Sequence, residues 1–183
     1  MLQGNQIRLR AVALDQVLPR FEWFTDAEFT KLYLGKAQHA VQYRLMEAEV
    51  LYAMNSTALS GHFELAIQTV LDERYVGNVF LRNINWVSRS AEFGMFLGCR
   101  ELWGKGLGQE ASRLMLDHAF AELGLHRVWL TAFSFNPRAL ACFERVGFRR
   151  EGIFRDAVYC DGAFHDTVVM GMLEQEYAPG RRP

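Results

Sequence analysis

From residue 7 the chain alternates as 7-IRLRAV-12, apolar at every second position, which is the period of a half-buried strand. The period then lengthens. Residues 14–35 read as one or two short helices rich in aromatics, and 38-QHAVQYRLMEAEVLYAM-54 as a third, with Val41, Leu45, Ala48 and Tyr52 on one face. Alternation returns in 62-HFELAIQTVL-71 and 75-YVGNVFLRNI-84, whose short polar link predicts an antiparallel hairpin. A further strand, 90-SAEFGMFLG-98, is interrupted by Gly94.

Beyond residue 106 the helical period is clearest. Leu107, Ala111, Met115, Ala119 and Leu123 share a broad apolar face, while Glu110, Arg113 and Asp117 mark a polar one. A strand follows at 126–133. The segment 136-NPRALACFERVGF-148 carries a capping Asn136, Pro137 in the first helical position and Gly147 at the exit, so a helix of about ten residues is expected. Two last strands, near 149–159 and 164–173, flank the hairpin turn Asp161-Gly162. No repeat or linker interrupts the series.

With 183 residues, half of them hydrophobic, the chain is long enough for one domain with a sizeable core. We take 1–183 as that domain, 7–174 as its core and 175–183 as a tail. A net charge of −1 argues against a nucleic-acid partner held by phosphate neutralisation. Arg149 and Arg150, the nearest approach to a basic run, are flanked by Glu144 and Glu151. Three irregularly spaced cysteines make no disulfide framework, the N-terminus lacks the apolar stretch of a signal peptide, and no window reaches the length of a membrane span. A soluble cytoplasmic protein with no membrane partner is expected.

Chemistry concentrates first in 103-WGKGLG-108, where Gly104, Gly106 and Gly108 alternate just as a helix begins. Bare amides at a helix N-terminus attract anions, because the first turn leaves its donors unpaired and the macrodipole is positive there. Neither the P-loop nor the dinucleotide spacing fits, and a tight strand-to-helix turn alone would also explain the glycines.

The element order β-α-α-β-β-β-α-β-α-β-β resembles the GNAT superfamily of acyl-CoA-dependent N-acetyltransferases. Two motifs carry most of the likeness: 103-WGKGLG-108 is similar to the family's pyrophosphate loop in the tryptophan-led form of the RimJ/RimL-type branch, and 136-NPRALACFERVGF-148 to its Asn-led helix ending in Gly-Phe. The segments 21–35, Glu92 with Gly94, 151-EGIFRD-156 and 161-DGAFHDTVVMGML-173 extend the resemblance from about residue 7 to 174. It implies an α/β fold with a mixed, mostly antiparallel sheet of about seven strands, helices on both faces, and a bulge that splays the fourth strand from the fifth. It also implies acetyl-CoA as co-substrate, with no metal. Its pyrophosphate would rest on Trp103, Gly104, Lys105, Gly106, Leu107 and Gly108, and its pantetheine arm and thioester on the amides of Phe96, Leu97 and Gly98, with Asn136 and Phe143 alongside.

Acetyl transfer needs a neutral amine, and an alkylamine of pKa about 10.4 is neutral to only about one part in a few thousand at pH 7. Glu92 is therefore the candidate general base, the alternative being an ion pair with Arg89 or Arg127. Asn136 serves as helix cap, with or without a contact to the cofactor. Where many members of the family place a tyrosine that protonates the leaving thiolate, this chain has Phe143. Either Tyr159, Ser134 or Cys142 replaces it, or the thiolate leaves unaided, which a thiol pKa of about 8.5 tolerates. His126 and His165 lack metal-ligand partners at known spacings and read as structural.

Trp23, with Phe24 and Tyr33, falls where the family's acceptor helices would lie and either lines a pocket or packs in the core. Asp26 and Glu22 either select a cationic amine or stand at a helix start. The acceptor implied first is a protein N-terminal α-amine, with a polyamine, amino sugar or aminoglycoside as alternatives. A homodimer is open on the resemblance alone. A non-catalytic CoA-binding module is the competing class, for which the missing tyrosine is the one hint.

Overall fold

The computed structural model describes residues 2–35 and 43–177. The alternating segments join one sheet, in the spatial order β1 (Leu2–Gln3), β2 (Ile7–Ala11), β3 (His62–Thr69), β4 (Tyr75–Asn85), β5 (Ser90–Leu97), β6 (Arg127–Phe133), β8 (Ala163–Leu173), β7 (Arg149–Cys160). Every neighbouring pair is antiparallel except β5 and β6, which run parallel. The eighth strand beyond the expected seven is the two-residue β1, too short to show a period.

The pleat sends alternate residues of β4 and β5 to opposite faces. Val79, Leu81, Ala91 and Phe93 enter the larger core with helices α4 (Leu107–Asp117) and α5 (Pro137–Val146). Phe80 and Phe96 enter a smaller, aromatic core beneath α1 (Val17–Thr25), α2 (Ala27–Leu34) and α3 (Tyr43–Met54). Helices therefore cover both faces.

The caps read from the sequence are in place. Asn136 accepts from the Ala139 amide at 3.1 Å, Pro137 occupies the first turn, and Gly147 ends α5 in the left-handed region at φ 117°. Asp161 and Gly162 take φ 51° and 83°, as a two-residue hairpin turn requires.

Two patterns resolve differently from expectation. In α3 the buried residues are Met46, Val50 and Ala53, whereas Leu45 and Tyr52 are 57% and 63% exposed and Ala48 is exposed too. The helix is apolar on two sides, so period alone could not choose the buried one, and Val41 lies outside the described residues. On α4, Glu110 does not simply face water. It accepts from the amides of Asn5 and Gln6 and pins the β1–β2 turn to the helix.

Glycines in and just after β5 mark close approach by side chains. The Phe80 ring fills the space beside Gly94, and the Trp23 indole fills the space beside Gly98. A methyl group on Gly98 would overlap that indole, so Gly98→Ala is expected to lower stability by about 1–3 kcal/mol through overpacking. Urea denaturation of the two proteins measures it, and an unchanged midpoint would remove this packing from the account.

Candidate active site

Strands β5 and β6 pair at three positions only, Ser90 with Arg127, Ala91 with Val128 and Glu92 with Trp129. From Phe93 onward β5 keeps β4 as its partner while β6 keeps β8, and the two diverge. No bulge in β5 causes this. The β4–β5 register is unbroken from Gly77–Leu97 to Arg82–Glu92, and the irregularity falls in β4 between Arg82 and Asn85, where Asn83 adopts φ 52°.

The gap opens into a cleft of about 890 Å³, open mouth included. Its walls come from Met95, Phe96 and Leu97 of β5, Leu102, Trp103, Gly104 and Gly106 of the loop before α4, the first turn of α4 from Leu107 to Gln109, Asn136 and the inner face of α5, and Phe29, Leu32 and Tyr33 of α2. Gly104 and Gly106 take φ 77° and 88°, conformations that favour glycine. A Cβ at Gly104 would meet nothing within 4 Å, so backbone conformation and not crowding calls for that glycine. Gly108, by contrast, lets α4 approach β5 and α5, since its Cβ would lie 3.1 Å from Met95 and 3.5 Å from the Cys142 sulfur.

The Glu110 amide closes the first turn of α4 on the Gly106 carbonyl. Among the described residues the amides from Gly104 to Gln109 have no acceptor. That row stands at the positive end of α4, where unpaired donors and the helix dipole favour an anion. Beside it Trp103 donates from Nε1 to the Leu97 carbonyl at 2.7 Å, and the Arg138 guanidinium stacks 3.8 Å from the indole centroid. Partial burial lowers the pKa of Arg138, which pairs with no carboxylate among the described residues. Arg138 was not foreseen, and its place beside Pro137 in the first turn of α5 was the available signal. Lys105 is exposed and outside the cleft wall.

Along β5 the antiparallel ladder alternates between amides facing β4 and amides facing away. Gly98 N–H donates to the Val76 carbonyl at 2.9 Å, and Phe96 shares its side of the strand. The amides of Leu97 and Met95 are therefore the ones turned toward the gap. Of the three expected donors, Leu97 alone keeps that place, and Met95 replaces its neighbours.

A parallel pair that parts after three positions, with a glycine-led helix start at its mouth, is the arrangement the sequence resemblance implied. A profile described as "Acetyltransferase (GNAT) domain" matches residues 6–149. The chain belongs to the GNAT acetyltransferase family. Among its relatives are "Putative ribosomal N-acetyltransferase YdaF" of Bacillus subtilis, 38% identical over 58% of this chain and 57% of that protein, and the spermidine N(1)-acetyltransferase of Vibrio cholerae, 33% identical over 56% of this chain and 58% of that one. The chain thus spans rather more than half the length of these curated relatives. The crystal structure of a Vibrio cholerae spermidine N-acetyltransferase in complex with CoA and spermine shares the fold, with a TM-score of 0.83, 22% identity and coverage of 95% and 99% of the two chains.

Within this GNAT fold Glu92 stands at the last paired position before the strands part and is 7% exposed. Its partners are not Arg89 or Arg127, which bind Glu174 and Glu151, but Arg82 at 2.6 Å and the Asn83 side chain at 2.9 Å, one on each oxygen. Asn136 uses both ends of its amide: the oxygen caps α5 and the nitrogen donates to the Leu32 carbonyl at 3.2 Å, tying α2 to α5. Phe143 lines the cleft and packs edge-on against Phe93 and Phe148.

Of the acids expected to replace a tyrosine, Cys142 lines the cleft wall and the other two do not. Tyr159 is 60% exposed against Phe164 in the last hairpin, and Ser134 is exposed in the turn after β6, so neither reaches the cleft wall. Trp23 is also absent from that wall, held between Gly98, Tyr75 and Phe96. Asp26 caps α2 by accepting from the Phe29 amide at 2.8 Å and pairs with Arg100 at 3.3 Å.

The Phe29 amide and, less strongly, Arg100 hold the Asp26 carboxyl below its usual pKa. A depressed pKa gives stability that is present above the unfolded value, about 3.9, and lost as pH falls through the folded one. Asp26→Ala is expected to cost about 1 kcal/mol at pH 7, as lost caps do, and much less at pH 3. Denaturant titrations at the two pH values give the difference, and a loss that does not shrink in acid would contradict the assignment.

Proposed function

We propose that the chain transfers an acetyl group from acetyl-CoA to a primary amine, by direct attack while both are bound. The observation that carries this reading is the gap between β5 and β6 leading onto the unpaired amides Gly104–Gln109. Those amides suit a pyrophosphate, being donors without acceptors at a helix N-terminus. Arg138 adds a positive charge without a carboxylate partner among the described residues, and the edge of β5 at Met95 and Leu97 offers backbone groups to an amide-bearing arm. Acetyl-CoA would supply an acyl group activated as a thioester.

The protein's own part is to bind and orient, to exclude water and to take a proton from the amine. Glu92 is the proposed base. Its side chain lies on the face of α1–α3, and Arg82, whose side chain is half exposed, can swing toward solvent when an ammonium group arrives. We propose a protein N-terminal α-amine as acceptor. The names of the relatives support a polyamine as a second reading.

Two variants and one panel test this. Gly106→Val should abolish measurable acetyl-CoA binding in a protein that still folds, because a β-branched residue resists φ 88° and crowds the amides. Calorimetry showing unchanged affinity would remove the anion site. Glu92→Gln should lower turnover at pH 7 about a hundredfold, with the deficit shrinking above pH 9 where solution supplies neutral amine. Wild-type turnover at pH 7 would leave Glu92 as a mere anchor for Arg82. Thiol release measured with peptides, spermidine and amino sugars separates the acceptors, and binding without turnover on any amine would favour a CoA-binding module.

A further inference from the structure

Strand register sets four side chains in a row on the sheet face that carries α1–α3: His62 of β3, Arg82 of β4, Glu92 of β5 and Trp129 of β6. In the middle of that row lies an ion pair of unequal partners. The Glu92 side chain is 9% exposed and the Arg82 side chain 51%. Glu92 is held on both oxygens, by Arg82 on one and by Asn83 on the other. Asn83 is itself set by the irregularity of β4, where the chain turns at φ 52°.

Arg82 is held far less. Only its Nη2 donates to Glu92, and among the described residues its Nε and Nη1 have no acceptor. Phe80 lies beside the guanidinium, its ring centroid 5.7 Å from Cζ. The neighbouring acid on this face, Glu64, is taken up by Arg20 and by His62, whose Nε2 lies 3.1 Å from it. Tyr33 lines the cofactor cleft and has Arg82 among the charges that act on its phenol, so the row stands next to that cleft.

An ammonium group placed on Glu92 makes two cations share one buried carboxylate. The pair sums to zero when empty, and a simple amine leaves it with one positive charge in excess. An acceptor that carries its own carboxylate a few atoms from the amine restores the balance and fills the open side of the guanidinium. The planar fork of arginine suits a carboxylate through two parallel hydrogen bonds. A polyamine does the reverse, because each further ammonium group is repelled by Arg82.

We propose that Arg82 is a carboxylate-binding subsite for the acceptor, which selects an α-amine with an acidic group beside it: the first residue of a chain that begins with Asp or Glu, or a free amino acid. This names the acceptor within the functional reading above and rests on it. On binding, the ammonium group takes the place of Nη2 on Glu92, the carboxylate takes the guanidinium, and Asn83 keeps the other oxygen of Glu92 in position. One ion pair becomes two.

Two matched pairs of acceptors test this through kcat/KM: peptides that differ only in a first residue of Asp or Ala, and alanine against its amide. The member with the added carboxylate should be favoured about tenfold or more in one pair, the usual worth of a hydrogen bond to a charged group, and the pair that shows it identifies the source of the carboxylate. A Lys-led peptide and spermidine should rank last. Arg82→Gln should bring the favoured ratio to about one, and Arg82→Lys, which keeps the charge without the fork, should leave it between. Calorimetry of the same acceptors on the CoA complex reads the preference without turnover.

Ratios of one in both pairs, or a preference that Arg82→Gln retains, would overturn the subsite and leave acetyl transfer standing. Should Arg82→Gln fail to fold, the wild-type pairs alone decide. Selective binding that Arg82→Gln loses, with no amine of the panel acetylated, would instead overturn the functional reading and leave the subsite standing.

Discussion

Two parallel strands that pair at only three positions set the character of this molecule. A parallel ladder normally continues until a strand ends, because each unpaired backbone group removed from water costs free energy. Here β5 stays bound to β4 and β6 to β8, and the edge of each that should meet the other is left open from Phe93 onward. The fold tolerates the rift because its two halves are bridged elsewhere. On one face α4 and α5 pack a continuous core against both halves, and on the other α2 lies across the opening, fastened at both ends. The open strand edge is thereby left as a row of accessible backbone groups inside a stable fold.

The same constraint explains where the chemistry can sit. A long anionic thioester lying in the rift would have its charged end at the amides after Trp103 and its reactive end among Phe96, Asn136 and Phe143. An amine would then approach from the side of α1–α3, where Glu92 and Arg82 are found. Asn136 joins the two sides with one amide group, capping α5 and holding α2. A residue that reads in the sequence as a simple cap is thus also a tie between α2 and α5.

How much of this was legible depended on the range of the interaction. Asn136, Pro137, Gly147, Asp161 and Gly162 act on their immediate neighbours, and each stands where the sequence placed it. The glycine loop was legible for the same reason. Partners set by strand register were not: nothing local to Glu92 says that Arg82 and Asn83 lie opposite it, and Arg89 and Arg127 were nearer guesses in sequence or topology. For Trp23 the sequence left pocket and core both open, because its space comes from a glycine seventy-five positions away, and α3 was misread because two of its faces are apolar. Tyr159 and Ser134 followed from chemistry without geometry.

The central claim is that the rift between β5 and β6 receives the cofactor. Backbone amide hydrogen exchange, followed residue by residue with and without acetyl-CoA, tests it most directly. The account predicts new protection at Leu97 and along Gly104–Gln109, with the amides of Phe96 and Gly98, turned toward β4, changing little. Protection confined to other parts of the chain, or none at saturating acetyl-CoA, would contradict it.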